Sequence, residues 1–291
     1  MGYYLVPPVY RPPSEAASLI FQVTLGCSHN ACSFCVSYKG KKFRIKTWPE
    51  IKADIEAAKV FYHNATRVFL ADGNAMVAET GLLLKVLDKL YHDFPYLERV
   101  GIYARANDIL DKEPEDLKKL HEAGISLVYY GLESGSDRIL KMVHKGATVA
   151  QIIEGGRKAM DAGLPLSVTV IIGAGGPELS EEHATATAAA ASAINPAYLS
   201  ALTMLIPEGS FMDRKLKRGE FKLLTPMQSL NELKIMIEKL SLTNCVFRSN
   251  HASNYLPLKG TLNQDREKLL AFIQRGLANP DLLRPEFMRA L

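Results

Sequence analysis

The sequence predicts an α/β fold, a partial (β/α)6 barrel of parallel strands with a mainly helical C-terminal extension. Three observations lead to it. Short runs rich in β-branched and aromatic residues alternate six times with helix-length stretches between residues 18 and 207. Right-handed crossovers between such units curl a parallel sheet into a barrel or an open part of one. Polar and glycine-bearing turns follow successive strands, where α/β sheets place their sites. Bulk composition agrees: the 291 residues are 47% hydrophobic and 23% charged, ordinary for a globular chain with a large core. No apolar run approaches the length of a membrane span.

The elements follow in order. Residues 18–24 (SLIFQVT) read as the first strand and lead into a cysteine-bearing loop. Residues 48–63 carry helical periodicity, with Thr47 as the N-cap before Trp48-Pro49. Residues 67–71 (RVFLA) form the second strand and 80–92 its helix. Residues 99–104 (RVGIYA) are the third strand, and a helix over 111–123 stops at Gly124. Residues 126–132 (SLVYYGL) are the fourth, followed by a broken helical region over 136–162 that ends at Gly163. Residues 166–172 (LSVTVII) are the fifth, 180–194 its helix, and 198–206 the sixth strand. Beyond Pro207 come a helix over 226–240, a β-like piece over 245–248, a polar run over 249–255 (SNHASNY) and a last helix over 263–277. The expected organisation is an N-terminal arm over 1–17, the barrel core over 18–207 and an extension over 208–291 that covers the barrel mouth.

The chemistry is concentrated in the first loop. Cys27, Cys32 and Cys35 stand at C-x4-C-x2-C spacing, and the fourth cysteine, Cys245, is far along the chain. Three thiolates on one short loop suit three corners of an iron–sulfur cluster and leave one iron open to another ligand. Structural zinc asks for four closed ligands, which here would require His29 or Cys245. Three inert, buried cysteines are the plainest alternative. The first residues, MGYYLVPP, have no basic start and no long apolar core. A reducing, cytoplasmic setting with free thiols is expected. The net charge of +4 would tolerate an anionic substrate without arguing for nucleic acid.

The residues around these cysteines resemble the radical S-adenosylmethionine superfamily. The resemblance covers roughly residues 18–207 and rests on the cysteine triad after the first strand, with the aromatic Phe34 before the third cysteine. It is nearest in style to the coproporphyrinogen-oxidase-like and methylthiotransferase-like branches, through Gly131-Leu132-Glu133-Ser134-Gly135-Ser136. The family's usual spacing is C-x3-C-x2-C; this loop has one residue more, which a flexible loop absorbs at small entropic cost.

The resemblance implies a TIM-like part-barrel, a 4Fe–4S cluster ligated by Cys27, Cys32 and Cys35, and S-adenosylmethionine as cofactor. It implies cofactor contacts at Phe34, Asp72, Gly73 and Asn74, at Glu133 and Ser134, at Lys145 or Arg105 for the methionine carboxylate, and at Ile172 and Gly173 for the adenine. With only Cys245 left over, no second cluster is expected.

The implied activity is reductive cleavage of S-adenosylmethionine to a 5′-deoxyadenosyl radical, which abstracts hydrogen from a substrate. An electron donor such as flavodoxin or ferredoxin is implied, and a small-molecule or peptide substrate rather than nucleic acid. RNA modification, and a zinc- or iron–sulfur-binding protein without catalysis, are the alternatives. On the substrate side we expect His251 and Tyr255; Cys245 reads either as a buried, inert thiol, the commoner fate, or as a hydrogen-atom donor to a product radical. Neither substrate nor oligomeric state is legible.

Overall fold

The structure, a computed structural model, describes residues 3–290. In chain order its regular elements are β1 (Leu19–Gln22), β2 (Thr24–Leu25), β3 (Arg44–Ile45), α1 (Trp48–Tyr62), β4 (Arg67–Ala71), α2 (Thr80–Asp93) and β5 (Arg99–Ala104). There follow α3 (Ala106–Leu110), α4 (Pro114–Glu122), β6 (Ile125–Glu133), α5 (Asp137–Met142), α6 (Val149–Asp161), β7 (Leu166–Ile172), α7 (Ser180–Ile194) and β8 (Tyr198–Thr203). The last are α8 (Phe211–Lys217), α9 (Pro226–Lys239), β9 (Cys245–Ser249), β10 (Leu258–Leu262) and α10 (Arg266–Ala278). The class is α/β, as the alternation predicts.

Of the described residues, 3–30, 36–130 and 155–166 form one compact unit, and 31–35, 131–154 and 167–290 form a second. In the first, β1, β4, β5 and β6 lie side by side in that order, all parallel. A register shift between Val100 and Gly101 interrupts the β5–β6 ladder. The two sides of this sheet differ. Tyr130 points to α6, where a Cβ on Gly155 would lie 2.8 Å from its hydroxyl. Neighbouring Tyr129 points the opposite way, as strand alternation requires, and joins Ile20, Phe69, Ala71 and Leu127 in an apolar cluster.

The arm lies on that second side. Leu5 and Val9 pack on the cluster. Val6 and the Gln22 side chain exchange hydrogen bonds of 2.7 and 3.0 Å. Glu15 is fully buried and accepts from Ser18 at 2.5 Å, and from Arg99 and Tyr129. Burial, with Glu15 adding to it, holds the Tyr129 hydroxyl well above the usual phenol range. The arm is therefore built into this unit from Val6, at the C-terminal end of β1, to Glu15 beside Arg99, at the start of β5.

In the second unit β7, β8 and β9 are parallel and β10 is antiparallel at the edge. Residues 208–290 carry the helices α8, α9 and α10, and they also add the strands β9 and β10 to this sheet. The helix expected over 111–123 begins only at Pro114, whose ring suits a first turn. A separate short helix, α3, precedes it. The sixth strand stops at Thr203 rather than at 206. Capping boxes at Thr47 and Thr225 start α1 and α9. Among the described residues no helix is long and apolar enough to cross a membrane.

Candidate functional site

Parallel strands end at one edge, so the turns after β1 and β4 meet there. Asp72, the first residue after β4, adopts a left-handed backbone with φ of 67°. Its fully buried carboxylate accepts from the Lys41 ammonium at 2.7 Å, from the Gly26 N–H at 2.8 Å and from Gln22 Nε2 at 3.0 Å. Gly73 follows so close to the cysteine loop that a Cβ on it would sit 2.4 Å from both Cα and Cβ of Cys27. Only glycine fits that approach. Asn74 then accepts the Ser28 N–H at 3.0 Å and donates to Ser28 Oγ at 2.8 Å. The residues on either side of Cys27 are thus held by side chains on either side of Gly73.

Asn74 also donates to Asp108 at 2.8 and 3.0 Å, and Asp108 accepts the Arg105 N–H at 2.8 Å. Burial pushes the Asp108 carboxyl up to about 6, against those hydrogen bonds. Of the residues expected to touch cofactor, Asp72 and Asn74 therefore have side chains engaged by the protein, and Arg105 sits at the start of α3.

In the second unit, Ser33 anchors the rest of the loop. Its N–H donates to the Val143 carbonyl at 2.9 Å, and its own carbonyl accepts the Met212 N–H at 3.2 Å. Phe34 packs on a cluster of Ile139, Ala174, Met204, Met212 and Phe221. Cys27, Cys32 and Cys35 are all half-buried. Three reduced sulfur donors, with a glycine seat for the first, fit an iron–sulfur cluster by donor chemistry. Among the described residues no three or more His, Cys, Asp or Glu side chains stand together as a finished metal cage, so the ligand assignment rests on the spacing.

The end of β6 carries a second constellation. Glu133 has φ of 63° and accepts from Lys145 Nζ at 2.8 Å, with side chains only 13% and 7% exposed. A Cβ on Gly131 would lie 2.3 Å from Glu133 Oε1 and 2.6 Å from Lys145 Nζ, so that glycine makes room for the pair. The two expected cofactor contacts are one ion pair. Ser134 is fully buried, with its hydroxyl 2.9 Å from His183 Nδ1.

His183 and Glu232 went unread in the sequence. The Nε2 of His183 faces the Ile171 carbonyl at 2.8 Å, so Nε2 carries the hydrogen and Nδ1 accepts. Glu232 accepts the Gly173 N–H at 2.6 Å and the Ser180 hydroxyl at 2.5 Å, and approaches His183 to 3.6 Å. The network ties Ser134, at the end of β6, to Gly173, after the buried Ile172 at the end of β7. A glutamate on the apolar face of α9, between Leu230 and Leu233, was the one available signal.

Burial pushes the Glu232 carboxyl from 4.5 up to about 7. Folded protein then keeps a proton that the unfolded chain releases above pH 4.5. Its stabilising share is complete below 4.5 and lost as pH rises through about 7. Burial lowers the His183 imidazole from 6.5 to about 4, so its share is complete above 6.5 and lost as pH falls towards 4. The isosteric Glu232→Gln removes the first dependence alone. We expect its stability relative to the parent to rise between pH 5 and pH 8, by on the order of 2–3 kcal/mol. Denaturant unfolding at the two pH values checks this.

The residues expected on the substrate side divide. The segment after β9 lies where β8 and β9 end: Asn254 donates to the Ala201 carbonyl at 2.9 Å and accepts from Thr203 at 2.8 Å. His251 is half-buried, with Nδ1 2.9 Å from Ser253 Oγ. Burial, then the charge of Arg284, lowers its imidazole. Tyr255 is buried, donates to Glu286 at 2.9 Å and stacks under the Arg289 guanidinium at 3.9 Å. Cys245 lies apart from these residues. It is the first residue of β9, fully buried, and burial pushes its thiol up to about 12. A five-residue strand separates it from that edge, roughly 13 Å at the usual rise. It is a core thiol.

The sequence profile of the Radical SAM superfamily matches residues 21–191, which is 171 of the 291 residues. The chain is 31% identical to the bacteriochlorophyllide d C-8(2)-methyltransferase of Chlorobaculum tepidum over 160 residues, 49% of this chain and 33% of that protein. It is 28% identical over 169 residues to a Methanocaldococcus jannaschii protein named as a methylthiotransferase, 54% of this chain and 36% of that one. The chain thus spans about a third of the length of these curated relatives.

Among solved structures, methylornithine synthase matches with a TM-score of 0.55 at 15% identity, covering 88% of this chain and 68% of that one. Coproporphyrinogen III oxidase of Escherichia coli matches at 0.57 and 18% identity, covering 76% and 51%. At such identities the likeness is one of fold, the α/β part-barrel.

Proposed function

The chain belongs to the radical SAM superfamily, whose enzymes use a 4Fe–4S cluster and S-adenosylmethionine, and from that premise we propose a single-cluster enzyme that abstracts hydrogen from a small-molecule or peptide substrate. When bound and reduced, the cluster would supply the single electron for reductive cleavage of S-adenosylmethionine. Cys27, Cys32 and Cys35 hold the cluster. The observation that carries this is the seat of Cys27, where Gly73 presses its backbone against the ligand. The backbone at Gly73, close against Cys27, would take the amino group of the methionine. Lys145 and Glu133 offer opposite charges for its carboxylate and for the ribose. Ile172 and Gly173 would take the adenine, and Phe34, packed on its apolar cluster, would help keep water from the bound group. The electron comes from a flavodoxin or ferredoxin in a reducing cytoplasm.

His251 and Tyr255 border the substrate, and the C-terminal tail holds them there. Arg284 Nη1 donates to the carbonyls of Ala252 at 2.7 Å and Asn254 at 3.0 Å, and Arg289 Nε to that of Ser253 at 2.7 Å. His251→Leu is expected to keep parental iron content while losing substrate turnover, by about 100-fold if it makes two hydrogen bonds in the reacting complex. Iron assay with product analysis checks this.

Because relatives are named for methyl and methylthio transfer, product identity is the test of reaction class. Anaerobic, reduced enzyme given S-adenosylmethionine should release 5′-deoxyadenosine and methionine. S-adenosylhomocysteine as the sole nucleoside product would overturn the hydrogen-abstraction reading in favour of methyl transfer.

A further inference from the structure

We propose that Asp72 is a positioning residue for Cys27, a clasp that closes the neck of the cysteine loop. The inference rests on the reading of that loop as the cluster's, and it assigns the Asp72 side chain to the protein rather than to the cofactor. Residues 26 to 41 leave and return at one point. Gly26, just before Cys27, gives its N–H to one Asp72 oxygen, and Lys41, beyond Cys35, gives its ammonium to the same oxygen. The two ends also touch through the backbone, since a Cβ on Gly26 would lie 3.1 Å from the Lys41 carbonyl oxygen. Such a pinched neck is how a compact loop holds its shape without regular structure.

The clasp extends to the N-terminal arm. Lys41 Nζ donates to the Pro8 carbonyl at 2.8 Å. Gln22 Nε2, which donates to the other Asp72 oxygen at 3.0 Å, also donates to the Val6 carbonyl. Asp72 is wholly buried and the Lys41 side chain is 7% exposed. A buried carboxylate persists only when paired and hydrogen-bonded, and this one has three donors. Asn74 secures the other flank through Ser28. Cys27 is therefore held from both sides, whereas Ser33 and Phe34, between Cys32 and Cys35, take their anchors from Val143, Met212 and an apolar cluster. Loss of the clasp should free Cys27 selectively.

The experiment reads each thiol in the metal-free protein, by timed alkylation and peptide mass spectrometry. The variants are Asp72→Asn, and Asp72→Asn with Lys41→Met, which removes the buried ammonium that the single change leaves unpaired. Cys27 should react about tenfold faster, the effect of one hydrogen bond of about 1.4 kcal/mol. Cys32 and Cys35 should stay within about twofold, and Cys245, in the core, should stay protected. Reconstituted variants should hold less iron than the parent. An unchanged Cys27 rate, or a parallel rise at all four cysteines that marks general loosening, overturns the clasp. Failure of the parent protein to take up iron overturns the cluster reading itself, and is seen in a separate measurement.

Discussion

Cys32→Ala is expected to lose the cluster and keep the fold. Anaerobically reconstituted parent protein should carry about four irons per chain, and the variant less than one. Formation of 5′-deoxyadenosine should fall by at least about 10³-fold, because two cysteines do not hold an open-cornered cluster in place. The fold should persist because Cys32 is half-buried on a loop, whereas Phe21, Phe69 and Phe247 are fully buried in the core. A change of one such side chain shifts the melting temperature by no more than about 2 °C for a chain of this size. Iron assay, product chromatography and a thermal melt check the three parts. A variant that aggregates on purification, as a metal-dependent fold would, contradicts the role given to the loop.

The second large effect is expected at the ion pair of Glu133 and Lys145. Each charge-assisted hydrogen bond to bound S-adenosylmethionine is worth about 1.5–3 kcal/mol, so Lys145→Met or Glu133→Gln should weaken binding by roughly 10- to 150-fold. The 2.8 Å contact makes the two losses non-additive. Whichever partner is removed, the other is left charged and mostly buried, at a cost to stability of about 3–5 kcal/mol for a pair of this kind. The double variant removes both charges and should be more stable than either single one, with a coupling of about 1–3 kcal/mol. Calorimetric titration and denaturant unfolding on all four proteins close the cycle. Additive effects would mean that the pair does not act as one unit.

Strand positions were legible where the local signal is complete. The runs at Arg67–Ala71, Arg99–Ala104 and Leu166–Ile172 begin and end where the sequence places them, because β-branched and aromatic residues are bounded there by turn formers. The strand Leu258–Leu262 escaped notice because Gly260 interrupts it and its pairing partner is needed to hold it. The site divides in the same way. Spacing alone singles out Cys27, Cys32 and Cys35 as candidates, and place after a strand singles out Asp72, Gly73 and Glu133. What single residues cannot reveal is partnership. Lys41 meets Asp72 across 31 positions, and Glu232 reaches Gly173 across 59. Both are charged residues that the fold buries. Cys245 left two readings open in the sequence, and its place at the start of a buried strand is visible only in the fold.

The most direct test of the central claim is the electron paramagnetic resonance spectrum of the reduced, reconstituted protein, recorded before and after adding S-adenosylmethionine. Three cysteines would leave one iron for the cofactor's amino and carboxylate groups, so the expected result is a 4Fe–4S signal whose g values shift when S-adenosylmethionine is added, in step with release of 5′-deoxyadenosine. A colourless protein holding stoichiometric zinc, or a cluster signal that S-adenosylmethionine leaves unchanged, would contradict it.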